Sequence, residues 1–340
     1  EVKAENKGGW TALMLAALNG NKEVCEMLIE KGAEVKAENK DGWTALMLAA
    51  LNGNKEVCEL LMEKGAEVKA ENKDGWTALM LAAERGNKEV CELLIEKGSE
   101  VEIVTKKGST ALILAAKNGH REVCGLLIEK GSEVEIVTKK GSTALMLAAE
   151  RGNKEVCELL IEKGSEVKAV DKDGWTALML AAKNGHREVC EMLIEKGAEV
   201  KAENKDGWTA LMLAALNGRK EVCELLMEKG AEVKAVNKDG CTALMLGALN
   251  GSKKVCKLLF KNGANINSVD SEGRTLLMYA VLSGQREICE LLIDKGLDVN
   301  SVSKDKWTPL MLASFNGNFK LFSDGNSVSK YYYLSISRYL

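Results

Sequence analysis

Apolar and polar positions along this chain fall into one pattern that returns every 33 residues without insertion or deletion. In one period, Asn39-Lys40-Asp41-Gly42 is turn chemistry, with glycine supplying a conformation that a side chain resists. Ala45 to Ala50 is apolar nearly all round, which predicts a short helix over 44–52, N-capped by Thr44 and sandwiched between neighbours. Gly53 ends it. A second helix over 55–64 places Val57, Cys58, Leu60 and Leu61 on one face and Lys55, Glu56, Glu59 and Glu63 elsewhere, so that face packs and the rest meets solvent. Gly65 stops this helix where a left-handed residue is favoured, and 66–71 runs extended into the next turn. Helices this short are not stable alone, so stacking is obligatory.

The threonine that opens the first helix recurs as Thr11, Thr44, Thr77, Thr110, Thr143, Thr176, Thr209, Thr242, Thr275 and Thr308, giving ten units in strict register. A fixed short period overrides the usual division of 340 residues into globular domains, because each unit packs only on its neighbours. One elongated array over residues 1–322 is expected, followed by a tail, 323–340, that either caps the end or is disordered. Glu1 falls inside a repeat, so the natural N-terminus is expected to be missing. The first helix pair is no more polar than the interior ones and is expected to lack a polar cap, and the last outer helix is shortened to about 318–322.

The order of turn, apolar helix, Gly, amphipathic helix, Gly-Ala and extended return resembles the ankyrin repeat. The resemblance implies an all-α solenoid: a helix-turn-helix stack with protruding β-turn fingers, ten units of 33 residues, curved with a concave groove. The family's Thr-Pro-Leu-His tetrad reads Thr-Ala-Leu-Met here, as at Thr44 to Met47, and the family proline survives only as Pro309. Methionine replaces a hydrogen-bonding ring by an apolar, pliable side chain, so the resemblance does not by itself imply the family's turn network, while the apolar helices are still expected to stack.

The 47 basic and 50 acidic residues give a net charge of −3, which argues against a nucleic-acid partner. No apolar run reaches the roughly 18 residues needed to span a bilayer. Nine of the ten cysteines (Cys25, Cys58, Cys91, Cys124, Cys157, Cys190, Cys223, Cys256 and Cys289) occupy one repeat position on the apolar face of the second helix. Neighbouring helices lie about 8–10 Å apart, beyond the roughly 7 Å Cα separation a disulfide allows. The thiols therefore read as small buried hydrophobes, which fits a reducing, cytoplasmic setting. Cys241 alone stands on a finger, where exposure would make it the one reactive thiol.

Positions that differ between repeats carry any functional signal. The residue after the turn glycine is Trp10, Trp43, Trp76, Ser109, Ser142, Trp175, Trp208, Cys241, Arg274 and Trp307. The resemblance places it on the projecting finger beside the groove where partners bind. A row of exposed tryptophans would make an interface; indoles lying flat on neighbouring fingers would only tie the stack together. Both readings stand. Leu51, Arg85, Arg151 and Leu216, near the end of the first helix, join the candidate binding positions. The fourth and fifth fingers lose Trp and gain Lys106, Lys107, Lys139 and Lys140, a pattern that suits an acidic or phosphorylated partner segment and that block duplication also produces.

No cofactor, metal or catalytic constellation is expected. His120 and His186 read as turn residues, and the recurring Asp and Glu form a solvated face rather than one unique pair. The function expected is a protein-binding scaffold that is not an enzyme, monomeric, with end-to-end association open to its poorly capped termini. The competing reading is a spacer or targeting region of a larger protein whose activity lies in the missing N-terminal part.

Overall fold

The computed structural model describes residues 2–316, which form two compact blocks divided after Lys172. The first block holds α1 (Ala12–Leu18), α2 (Lys22–Glu30), α3 (Ala45–Leu51), α4 (Lys55–Glu63), α5 (Ala78–Arg85), α6 (Lys88–Glu96), α7 (Ala111–Asn118), α8 (Arg121–Glu129), α9 (Ala144–Arg151) and α10 (Lys154–Glu162). The second holds α11 (Ala177–Asn184), α12 (Arg187–Glu195), α13 (Ala210–Leu216), α14 (Lys220–Glu228), α15 (Ala243–Asn250), α16 (Lys253–Lys261), α17 (Leu276–Ser283), α18 (Arg286–Asp294) and α19 (Pro309–Phe315). Odd helices are the first of each repeat and even helices the second. Within each block, successive odd helices pack together and each also packs on its own even partner, so the blocks are all-α solenoid of repeating helix pairs. Among the described residues the extended segments make only isolated antiparallel bridges, such as Glu38 to Thr44 and Val236 to Thr242. The shortened last helix and the tail expected over 318–340 lie outside the described residues.

Burial explains the odd helices. Leu46 and Met47 of α3 are 1% exposed and Ala49 and Ala50 are fully buried, so the alanines set how closely neighbouring helices approach. Thr44 caps α3 by accepting the Met47 amide at 3.2 Å. The same bond starts every described first helix except α17, and each such cap contributes about 1 kcal/mol. The even helices bury one stripe; in α4 it is Val57, Cys58, Leu60 and Leu61.

The turn asparagine of each finger organises it. Asn39 Oδ1 accepts the amides of Asp41 and Trp43, both at 2.9 Å, and the Asn39 amide returns to the Trp43 carbonyl at 3.0 Å. Asn39 and Thr44 thus hold the turn that methionine cannot. Successive fingers are joined by one backbone bond each: the Lys40 amide donates to the Gly8 carbonyl and the Lys73 amide to Asp41, at 3.0 and 2.9 Å. This close approach is why Gly42, at φ 81°, cannot carry a side chain, since a Cβ there would meet Asn72 Cα at 3.0 Å.

Between α3 and α4 the turn reaches backwards. Asn54 leaves its own helix uncapped and donates from Nδ2 to the Ala17 and Leu18 carbonyls at 3.0 and 3.2 Å, satisfying the end of α1. His120, at the equivalent place, brings Nε2 to 2.9 Å from the Glu84 carbonyl. It is a turn residue with a job: it closes the helix of the preceding repeat. In the first helix pair of the first block, Leu15 and Met27 are 47% and 44% exposed.

Candidate functional site

The site follows from what the finger residue touches. Three contacts fix this. Lys183 Nζ lies over the Trp175 ring, 5.3 Å from its centroid, and Phe315 meets Trp307 edge to face with centroids 5.8 Å apart. Each is eight positions after its tryptophan, so the finger residue lies beside the end of its own first helix. Cys241, in the tryptophan position, has its sulfur 3.0 Å from the Tyr279 hydroxyl, 38 positions later and inside the first helix of the next repeat. The finger residue therefore bridges its own helix end and the helix of its neighbour.

Exposure along the chain obeys that geometry. The residue 38 positions after a tryptophan is buried: Leu48, Leu81, Leu114, Leu213 and Leu246 are all at or below 7%. Leu147, which follows Ser109 at that spacing, is only half-buried, and so is Leu312, which follows Arg274. The indoles themselves are half-buried at Trp10, Trp43, Trp76, Trp175 and Trp208; only Trp307 is exposed, at 39%. A row of fully exposed tryptophans is not formed: five of the six indoles are half-buried, and the leucine 38 positions after each of those five is buried in the next repeat.

Where the tryptophan is missing, a space opens. A cleft of about 640 Å³ in the first block has Ser109 and Leu147 in its walls, together with Trp76, Ile113 and Leu114. Its rim carries Lys106, Lys107, Lys117 and Arg151 against Asp74 and Glu84. Two more cations than anions face it, and among the described residues none of the four cations makes an ion pair. The finger here is built on Thr105, whose hydroxyl accepts only the Ser109 amide, at 3.1 Å, where Asn39 takes two.

The structure therefore gathers four sequence-predicted residues, Trp76, Lys106, Lys107 and Arg151, at one place. Arg85 is exposed and Leu51 half-exposed in the same block but outside this cleft, as are exposed Lys139 and Lys140; Leu216 is half-exposed in the second block. Lys117 and Leu147 were not anticipated. The signal for Leu147 is a spacing of 38, longer than the period, which becomes visible only once Cys241 and Tyr279 are seen to depart from the consensus together; that for Lys117 is a spacing of eight, the one that joins Lys183 to Trp175.

Cys241 corrects a second expectation. It is 6% exposed, so it is not the reactive thiol of the chain. Its small side chain makes room for Tyr279, which stands where other repeats have leucine, and the Tyr279 hydroxyl donates to Asp270 Oδ2 at 2.7 Å. Arg274 Nε donates to the same oxygen at 2.6 Å. Burial pushes the Asp270 carboxyl up, but the bonds from Tyr279 and Arg274 outweigh it and hold it below the usual range. Burial raises Tyr279 and Cys241 in turn. All ten cysteines are buried and unpaired. Burial lifts Cys58, Cys91, Cys124, Cys157, Cys190, Cys223, Cys256 and Cys289 to about 12 and Cys25 to about 11. Thiols so placed are inert packing groups.

No group of three or more His, Cys, Asp or Glu side chains suited to a metal occurs among the described residues, and no described helix is long and apolar enough to cross a membrane. The family model described as ankyrin repeats in three copies matches the chain five times in succession, over residues 1–72, 65–138, 130–204, 197–270 and 262–323. No curated protein matches the chain.

Proposed function

Because the chain belongs to the ankyrin-repeat family, we propose that it is a protein-binding scaffold, acting by association rather than catalysis and recognising its partner along the fingers and the adjoining ends of the first helices. Proteins built of such repeats in general mediate protein–protein interaction, and the sites of difference between repeats here lie at those two places. The observation that carries the reading is the convergence of Trp76, Lys106, Lys107 and Arg151 on one cleft: the repeat positions that change are the ones that meet, while the packed positions hardly change. A surface so assembled offers aromatic and arginine anchors of the kind that dominate interface energetics. The lysines add long-range attraction for an acidic partner. Ten unpaired buried thiols suit a reducing compartment, which supports an intracellular setting for this scaffold.

Selection of binding peptides from a random displayed library on the folded chain tests the reading. Binders are expected to weaken at least tenfold when Lys106, Lys107 and Arg151, or Leu51, Arg85 and Leu216, are changed together to Glu, with the helical circular dichroism unchanged. Binders that ignore both triple changes, or a selection that yields none, overturn the assignment. Association should also slow as salt rises, since exposed charges more than about 10 Å apart are screened at 0.1 M.

A further inference from the structure

We infer that the cleft beside Ser109 is a socket for an aromatic side chain that a partner protein presents from an acidic segment. This rests on the protein-binding reading and names what that surface takes.

The socket is defined by the chain's own chemistry elsewhere. At five repeats the finger supplies a half-buried indole and the leucine 38 positions on is buried, and at Cys241 the position 38 on is filled instead by Tyr279, in contact with it. At Ser109 neither device is used: the hydroxymethyl is too small to reach Leu147, which is left half-buried in the cleft wall. Trp76 of the preceding finger, Ile113 and Leu114 supply the rest of its apolar lining. The shape left open is thus the place that an indole occupies in the repeats that carry tryptophan.

The charges select an aromatic ring on an acidic strand over a plain aliphatic one. Lys117 stands eight positions after Ser109, as Lys183 stands eight after Trp175, and Lys183 Nζ lies 5.3 Å from the Trp175 centroid. A ring entering beside Ser109 meets Lys117 in the same cation–π geometry. Lys106, Lys107 and Arg151 on the rim, with no acidic partner among the described residues, complement carboxylates on either side of that ring. Asp74 and Glu84 also line the cleft, so the four cations outnumber its carboxylates by two.

The probe is a fluorescein-labelled nonapeptide with one central Trp flanked by Asp and Glu, read by anisotropy against the full chain. Two control peptides replace the Trp by Ala or the acidic residues by Lys. The acidic Trp peptide is expected to bind, and both controls to bind at least tenfold more weakly. Ser109→Trp fills the socket with the chain's own indole and is expected to lower binding at least tenfold while raising the unfolding midpoint, which shows that the array is intact. The surface pair Lys107→Glu and Arg151→Glu should do the same without touching the apolar lining. Equal binding by Ser109→Trp, equal binding by the Ala peptide, or no binding at 1 mM peptide overturns the socket. If library-selected binders still depend on Leu51, Arg85 and Leu216 while the acidic Trp peptide fails, the socket falls and the scaffold reading stands. If the selection itself yields nothing, the scaffold reading falls.

Discussion

The sulfur of Cys241 and the hydroxyl of Tyr279 lie 3.0 Å apart, joining a finger to the first helix of the next repeat at the two positions where most repeats have tryptophan and leucine. A large residue has moved from one partner to the other while the space between them stays filled. The two positions should be energetically coupled. Cys241→Trp alone overpacks against the tyrosine and Tyr279→Leu alone leaves a void, each costing about 1–3 kcal/mol. The double change restores the common pair and should be milder than the sum by about 1 kcal/mol or more. Urea unfolding of the four proteins checks this; additive losses would show that the positions do not meet.

Ser109→Trp should stabilise the first block, because an indole there covers Leu147 as Trp76 covers Leu114. Covering a half-exposed leucine and burying part of an indole contributes about 1 kcal/mol or more. The reverse change, Trp43→Ala, uncovers Leu81 and should cost about 2 kcal/mol, less than truncation of a fully buried tryptophan. Thermal midpoints of both variants, followed by circular dichroism, decide the matter.

Ser132 and Ser165 stand where other repeats have Ala33 or Ala66, and both buried hydroxyl oxygens have no hydrogen-bond partner. Ser132→Ala removes an unpaired polar group from a site the fold already builds around a methyl, and should raise stability by about 1 kcal/mol. A lowered urea midpoint would show that the hydroxyl is satisfied.

The buried thiols set an alkaline limit on stability. In the folded chain burial holds Cys58 to about 12, whereas an unfolded cysteine ionises near 8.5. The folded state keeps its proton while the unfolded state loses it. Stability is therefore full below about pH 8.5 and falls through the interval up to 12. Each such thiol costs about 1.4 kcal/mol per pH unit inside that window. The unfolding midpoint should drop from pH 8.5 to 11, and Cys58→Ala should make the drop shallower by one proton's worth.

Thiol labelling reads the same burial directly. With Cys241 at 6% exposure and the other nine on packed helix faces, the native chain should show no rapidly modified cysteine, and denaturant should release all ten. Mass spectrometry that found Cys241 modified at once would move its finger back into solvent.

The repeat, its length, the helix pair and the first-helix caps are all legible in the sequence. Those are local decisions: Thr44 caps, Ala49 and Ala50 pack and Gly53 and Gly65 stop helices through bonds and clashes within a few residues, and a fixed period repeats them in register. The sequence also marked Trp76, Lys106, Lys107 and Arg151, because departures from a constant background are visible in one dimension. What it left open was whether the tryptophans face solvent or the stack, and it exposed Cys241 wrongly. Both depend on a contact 38 positions long that crosses from one repeat into the next. Nothing in a period of 33 announces that spacing, since it is set by how far a finger leans over its neighbour when the helices pack. Packing alone decides that five indoles are half-buried, that Ser109 leaves Leu147 half-buried in a cleft wall, and that four cations from three places along the chain line the space this makes.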